Sequence, residues 1–373
     1  MTAAMLRLSK VDKFYGPVGK GVHAVKAIDL DVGKGEIIAL LGSSGCGKTS
    51  TLRMIAGFED VSRGSVSLNG RDIHRLPPVQ RNVAMAFEGY SLYLPLTVRD
   101  NIAFALKSSN FRPVEVDARV ASVAGMLEIT DILGRYPSGI SGGQQQRASL
   151  ARALIRDADL HLLDEPMGQL EPQLRTILRG RIKHFIKERG LTVILVTHDQ
   201  TEANALADRI AVMEAGELQQ FATPEDIRLR PANLFTGTFI GEPPMNVFPA
   251  SVHIAGGRLV LDLSGARFDL PAAEFGDPVA NRLAQASSVV VGVRPHAVHR
   301  IQGGLPATVI TNQWLGDQSH IAANFAGGTV VLVEHDRAGV AEGDRIGIAL
   351  RSSDLHFFDP ADGRAISHGR ILA

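Results

Sequence analysis

The densest chemistry in this 373-residue chain lies in eight consecutive residues, Gly42-Ser43-Ser44-Gly45-Cys46-Gly47-Lys48-Thr49, with Ser50 directly after. They fit the pattern of a glycine, four residues, then Gly-Lys-Ser/Thr. Glycines let the backbone curl so that several N–H groups point at one anion. The run follows an apolar stretch, Glu36 to Leu41, and opens a helical pattern, Lys48 to Ala56. A helix therefore aims its positive N-terminal end at the same spot. Lys48 adds a mobile cation for the β- and γ-phosphates of a nucleotide, and Thr49 offers a hydroxyl to Mg²⁺. The bland alternative, a glycine-rich turn with a surface lysine, explains neither the strand before nor the helix after. Cys46 reads as a small spacer inside the loop.

Two further segments could act on a bound phosphate. Leu160-His161-Leu162-Leu163-Asp164-Glu165 puts two carboxylates at the end of an apolar strand. Asp164 can hold Mg²⁺ directly or through water, and Glu165 can orient or deprotonate an attacking water. Alone, such a pair is an ordinary solvated strand end; behind a phosphate loop it reads as catalytic. His161 sits inside the strand and reads as structural. Ser141-Gly142-Gly143-Gln144 precedes a helix that ends near Arg156. It offers exposed amides at a helix start, or simply an N-cap by Ser141.

These groups need a scaffold. Short buried runs at 36–41, 83–87, 160–163 and 192–196 alternate with helical patterns over the first 235 or so residues. That order predicts an α/β domain with a largely parallel sheet. Asp100 to Tyr136 carries three helical patterns and no strand, a helical insertion. From Val247 onward the runs are short and β-branched, separated by turn signals at Ala255-Gly256-Gly257, Gly303-Gly304, Ala326-Gly327-Gly328 and Glu342-Gly343-Asp344. Strands are expected at 289–293, 308–310, 330–333 and 346–350, as in a small barrel or sandwich. The expected domains are 1–235 and 236–373, with the boundary near Gly237 to Pro244.

Composition narrows the function classes. Hydrophobic residues make up 45% and charged residues 21%, with formal net charge zero. This fits a globular chain and argues against a strongly basic nucleic-acid binder. A single cysteine excludes an internal disulfide. Met1 to Lys13 lacks the apolar core of a signal peptide, and no run reaches 18 apolar residues, so any membrane role is expected to come through a partner.

Together the residues resemble a family. Ile140-Ser141-Gly142-Gly143-Gln144 is similar to the signature motif of ABC transporter ATPases, usually written LSGGQ. Phosphate loop, signature and Leu163-Asp164-Glu165-Pro166 follow in that family's order. Val196-Thr197-His198-Asp199-Gln200 resembles its switch-histidine segment, and Tyr15 its adenine-stacking aromatic. The resemblance covers essentially the whole chain and implies the fold: a P-loop ABC ATPase domain with a helical insertion, then a C-terminal all-β, OB-like regulatory domain. It implies ATP and Mg²⁺ as ligands, with Tyr15, residues 42–50 and Glu88 around the nucleotide. Thr49, Glu88 and Asp164 would surround the metal, and Glu165, His198 and Lys48 would serve hydrolysis. It also implies a second ATPase subunit whose Ser141 to Gln144 close the site in trans. Two transmembrane permeases would follow, docking against the insertion and Gly89 to Leu96, where Tyr90, Leu92, Tyr93 and Leu96 could wall a groove. An extracytoplasmic solute-binding protein acting through the permease, no nucleic acid, and a peripheral place at the cytoplasmic face of the cell membrane complete the expectation.

Phe239-Ile240-Gly241-Glu242-Pro243-Pro244-Met245-Asn246 and Val291-Gly292-Val293-Arg294-Pro295 resemble the maltose-importer type, which serves sugars, polyols or glycerol 3-phosphate. Polyamine and ferric-ion importers carry similar ATPases. Two positions depart from the pattern: Glu88 stands where the family has glutamine, and Glu171 where its D-loop ends in aspartate. A carboxylate at 88 binds Mg²⁺ more strongly but repels the γ-phosphate. The departures keep open a weakly hydrolysing partner in a heterodimeric pair. A soluble ABC ATPase acting on DNA or ribosomes would carry a coiled-coil insertion or a tandem second module, and neither is visible. A P-loop kinase would leave the signature and switch segments without a purpose.

Overall fold

The structure, a computed structural model, describes residues 4–89, 91–107, 111–275 and 277–369. The chain divides into two compact units, Met1–Pro224 and Glu225–Ala373. The strands of the first are β1 (Leu6–Tyr15), β2 (Val22–Val32), β3 (Ile37–Gly42), β4 (Arg63–Leu68), β5 (Arg71–Asp72), β6 (Val83–Ala86), β7 (Leu160–Asp164), β8 (Val193–Thr197), β9 (Arg209–Glu214) and β10 (Glu217–Ala222). Its α-helices are α1 (Lys48–Ala56), α2 (Val98–Phe104), α3 (Pro113–Met126), α4 (Gly142–Leu154), α5 (Pro172–Glu188) and α6 (Gln200–Leu206).

The central sheet runs β10-β9-β3-β8-β7-β6, parallel except for the edge strand β10. Every residue of β3, β7 and β8 is buried. Strands covered on both faces read as continuous apolar runs, which is why they are visible in the sequence. A second, antiparallel sheet, β2-β1-β4-β5, was not expected. β1 and β2 alternate apolar with charged residues and pair through three register shifts, so no continuous run marks them.

The insertion holds two α-helices, α2 and α3, and single 3₁₀ turns at Thr130–Ile132 and Pro137–Gly139 in place of a third helix. Glu128, at φ 54°, ends the helical path after α3, and Pro137 has no N–H to continue one. α4 starts at Gly142, directly after its cap, ahead of the residue where the apolar periodicity begins.

The division falls after the first residue of the short helix α7 (Pro224–Leu229), and α8 (Leu234–Phe239) follows, so the compact-unit division precedes the change of sequence texture. The strands of the second unit are β11 (Asn246–Ala255), β12 (Arg258–Leu263), β13 (Ala266–Pro271), β14 (Ser288–Val293), β15 (His299–Trp314), β16 (Ser319–Phe325), β17 (Gly328–Glu334), β18 (Arg345–Ala349), β19 (Leu355–Phe358) and β20 (Ala365–His368). They form sheets β13-β12-β11-β14-β19-β20 and β17-β16-β15-β18. Inward residues of both sheets, among them Phe248, Leu261, Val291, Ile321, Leu332 and Phe357, share one core. Helix α9 (Asp277–Ala286) packs against β11 and β14. Gly303-Gly304, read as a turn, lies within the sixteen-residue β15 as an irregularity in its pairing with β18. A side chain at Gly304 would approach the Ile348 carbonyl oxygen to 2.6 Å, so the close strand approach requires glycine there.

Candidate nucleotide site

Parallel register gathers the singled-out segments at one edge of the central sheet. Gly42 pairs with Met213, Leu41 with Thr197, Asp164 with Val196, and Ala86 with Leu163. The phosphate loop, Asp164-Glu165, Thr197-His198 and the segment leading to Glu88 therefore all leave the carboxyl ends of neighbouring strands. Open α/β sheets place ligands at that edge.

The loop is built by close packing. A side chain at Gly42 would come within 2.2 Å of the Met213 carbonyl oxygen, and one at Gly47 within 2.5 Å of that of Ala24. Gly47, at φ 100°, caps α1 with no side-chain hydrogen bond, so α1 presents its first amides unshielded. Lys48 is 7% exposed, and its Nζ donates to the carbonyls of Gly42 and Ser43, each at 2.8 Å. The ammonium is thus held across its own loop. Cys46 is buried, its Sγ 3.7 Å from Lys48 Nζ, and burial pushes the thiol pKa up. Ser43 donates to Glu214 at 2.8 Å. Ser44 and Gly45 complete the loop, Gly45 at φ 78°.

Opposite this positive cradle stand carboxylates. Thr49 Oγ1 donates to Asp164 Oδ1 at 3.4 Å. Burial, then the charge of Glu88, then that of Glu165, raise the Asp164 pKa to about 6. Glu165 occupies a left-handed conformation at φ 47°, and its Oε1 lies 3.0 Å from His198 Nδ1. Its backbone carbonyl accepts from Gln146, whose side-chain oxygen accepts from the Gln169 N–H. Buried Gln146 thus ties α4 to the loop that carries Glu165, a role invisible in the sequence because its partners lie 19 and 23 positions away. Thr197 donates to Glu202 at 2.9 Å and accepts from the Asp199 N–H, fixing the turn that presents His198, which is 72% exposed at its side chain. Burial raises the Glu202 pKa to about 7.

Tyr15, at the end of β1, meets α1: its hydroxyl lies 2.8 Å from Ser50 Oγ and donates to Glu59 at 2.5 Å. Tyr15 as a residue is 44% exposed, leaving surface for a stacked base. Ser141 caps α4, accepting from the Gln144 N–H, while Gln144 accepts from the Ser141 N–H. Both halves of this capping box leave Ser141 at the surface. Among the described residues no hydrogen bond joins Ser141–Gln144 to residues 42–50 of the same chain. Glu171 caps α5 without a side-chain bond to it.

A cleft of about 290 Å³ lies beside Tyr93, with only that residue from Gly89 to Leu96 and only Phe104 and Ala105 from the insertion among its described lining. It is lined by Ala84, Met85, Tyr93, Phe104, Ala105, Arg152, Ala153 and Arg156. Tyr90 lies outside the described residues; Leu92 and Leu96 are not among the lining. Among the described residues no helix is long and apolar enough to cross a membrane. Nor does any group of three or more His, Cys, Asp or Glu form a metal site by itself. Mg²⁺ requires no such cage, because it keeps waters and phosphate oxygens among its ligands. The Thr49 hydroxyl and the Asp164 carboxylate are hard oxygen donors of the right kind, and the crowding of like charge on Asp164 is what a divalent cation relieves.

Residues 25–168 match the family model described as ABC transporter, residues 241–298 the MalK OB fold domain, and residues 291–358 the TOBE domain. The chain is 38% identical over 367 residues to the sn-glycerol-3-phosphate import ATP-binding protein UgpC of Cereibacter sphaeroides, covering 97% of this chain and 100% of that protein. It is 38% identical over 379 residues to the xylose/arabinose import ATP-binding protein XacK of Haloferax volcanii, covering 99% and 97%. Among solved structures, it is similar to the dimeric post-hydrolysis state of the ATP-binding cassette MJ0796 bound to ADP and Pi. The TM-score is 0.55 at 26% identity, over 59% of this chain and 99% of that one.

Proposed function

The chain belongs to the ABC transporter family of ATP-binding subunits, and from that premise we propose that it powers uptake of a small polar solute through a membrane permease. The solute class is a sugar, a polyol or glycerol 3-phosphate, as the names of its relatives indicate for them. The chain is an ATPase. It works as one of a pair of ATPase subunits docked to two permeases at the cytoplasmic face of the membrane, and a solute-binding protein delivers the solute from outside. Residues 1–235 hold the nucleotide, and 236–373 form the regulatory domain.

The single observation that carries the mechanism is the convergence of Lys48, Asp164, Glu165 and His198 at one sheet edge. Tyr15 stacks on adenine. The amides from Ser43 to Thr49 cradle the phosphates. Lys48, steered by two carbonyls of its own loop, meets the β- and γ-phosphates. Thr49, Asp164 and Glu88 would hold Mg²⁺, which neutralises phosphate charge when bound. Glu165, oriented by His198 and by its braced backbone, takes the proton of the water that attacks the γ-phosphorus. The bond to ADP breaks opposite. Ser141, Gly142, Gly143 and Gln144 of the second subunit close over the γ-phosphate with the N-terminal end of α4. The cleft at Tyr93 and Phe104 receives a permease helix.

Phosphate release by the purified chain tests this reading directly. Glu165→Gln is expected to retain ATP binding and lose hydrolysis; equal turnover would remove Glu165 from the role of base. The two departures from the family pattern, Glu88 and Glu171, favour a second reading in which this chain pairs with a different ATPase subunit. Brisk turnover by the chain alone would end it.

A further inference from the structure

Glu59 lies outside every motif above, yet it is the centre of a charged cluster behind the base-stacking ring. It accepts from the Tyr15 hydroxyl at 2.5 Å. Lys13 Nζ lies 3.5 Å and Arg53 Nη1 3.6 Å from its carboxylate oxygens. Lys13 is only 8% exposed; its Nζ also donates to the Asp60 carbonyl at 3.0 Å. The same ammonium stands over the Tyr15 ring, 5.1 Å from its centroid. One ring face is therefore taken by a cation, while the hydroxyl is pinned between Glu59 and Ser50. Burial and the bond to Glu59 raise the phenol pKa, so the hydroxyl remains a donor at neutral pH.

The geometry points to Glu59 as a positioning residue for nucleotide-base recognition: through the Tyr15 hydroxyl and Lys13 it locks the ring so that its uncovered face meets the purine. The inference rests on the proposed stacking role of Tyr15. A cation on one face of an aromatic ring is attracted to its negative quadrupole, and a ring held in one orientation loses less entropy on stacking. Glu59 and Arg53 also link this clamp to α1, so base and phosphate grips share one helix.

The test compares ATP with inorganic tripolyphosphate, which lacks the base. Glu59→Ala is expected to weaken ATP binding by roughly 3- to 10-fold, the scale of an aromatic contact, and to leave tripolyphosphate binding unchanged. Glu59→Gln, which still accepts from the hydroxyl, should keep most of the ATP affinity. Tyr15→Phe, which keeps the ring and removes only the hydroxyl, should weaken ATP binding like Glu59→Ala. The double variant should bind no more weakly than the weaker single one. Equal weakening of tripolyphosphate, full additivity, or unchanged ATP affinity in Tyr15→Phe would each overturn the proposal. Tyr15→Ala separates the two levels: unchanged ATP affinity there refutes stacking itself, whereas a large loss without coupling to Glu59 refutes only the clamp.

Discussion

Charge is buried in two opposite ways in this molecule. At the nucleotide site like charges are pressed together: Asp164 feels both Glu88 and Glu165, and Glu202 is buried with its Oε1 unpaired. In the second unit, Arg294 is also mostly withdrawn from water, and its pKa falls to about 10 through burial and the nearby charge of Arg228. Yet its guanidinium donates to the carbonyls of Arg228 and Ile240. The first arrangement leaves a buried carboxylate oxygen of Glu202 without a donor, whereas the second satisfies the Arg294 guanidinium with backbone carbonyls and serves the scaffold. Perturbed carboxylates clustered at a strand edge mark a functional site more than a single buried cation whose nitrogens all donate to carbonyls.

That contrast can be broken by removing charges one at a time. The largest effect is expected from Glu165→Gln, with turnover in a phosphate-release assay falling about 10²- to 10⁴-fold, the usual contribution of a general base. Next is Glu202→Gln. The folded-state pKa of Glu202, about 7, stands above its ordinary 4.5, so the folded chain keeps a proton that the unfolded chain has released. The associated stability is full below pH 4.5 and lost as pH rises through 7. Between pH 5 and 8 the parent chain should lose roughly 2–3 kcal/mol more stability than the variant, measured by urea unfolding. Arg294→Met should act with the opposite sign, destabilising by about 1–3 kcal/mol at pH 7, because it orphans paired carbonyls. A neutral result there would erase the contrast between the two regions. Smallest is Glu88→Gln: ATP affinity without Mg²⁺, followed by equilibrium dialysis, should rise roughly 3- to 10-fold as one repelling charge is removed.

Much of the site was legible because its parts are local. The phosphate loop, Asp164-Glu165 and the Ser141 cap each fall within a few residues, and the parallel strands that align them are continuous apolar runs. What was illegible depends on pairing across distance. β1 and β2 look polar because only alternate residues are buried. Glu59 acquires its role from a tyrosine 44 positions earlier, and Gln146 from backbone atoms of another loop. In the second unit, glycines at 303 and 304 suggested a turn because the same residue type serves tight turns and close strand approach alike.

The central claim is that ATP on one chain's phosphate loop is closed by Ser141-Gly142-Gly143 of another. Sedimentation of the Glu165→Gln chain with and without Mg-ATP measures this most directly. The account predicts a monomer that becomes a dimer only with nucleotide, and a Ser141→Arg substitution that prevents the change while leaving ATP bound. A chain that binds ATP yet stays monomeric, or a dimer indifferent to Ser141→Arg, would contradict it.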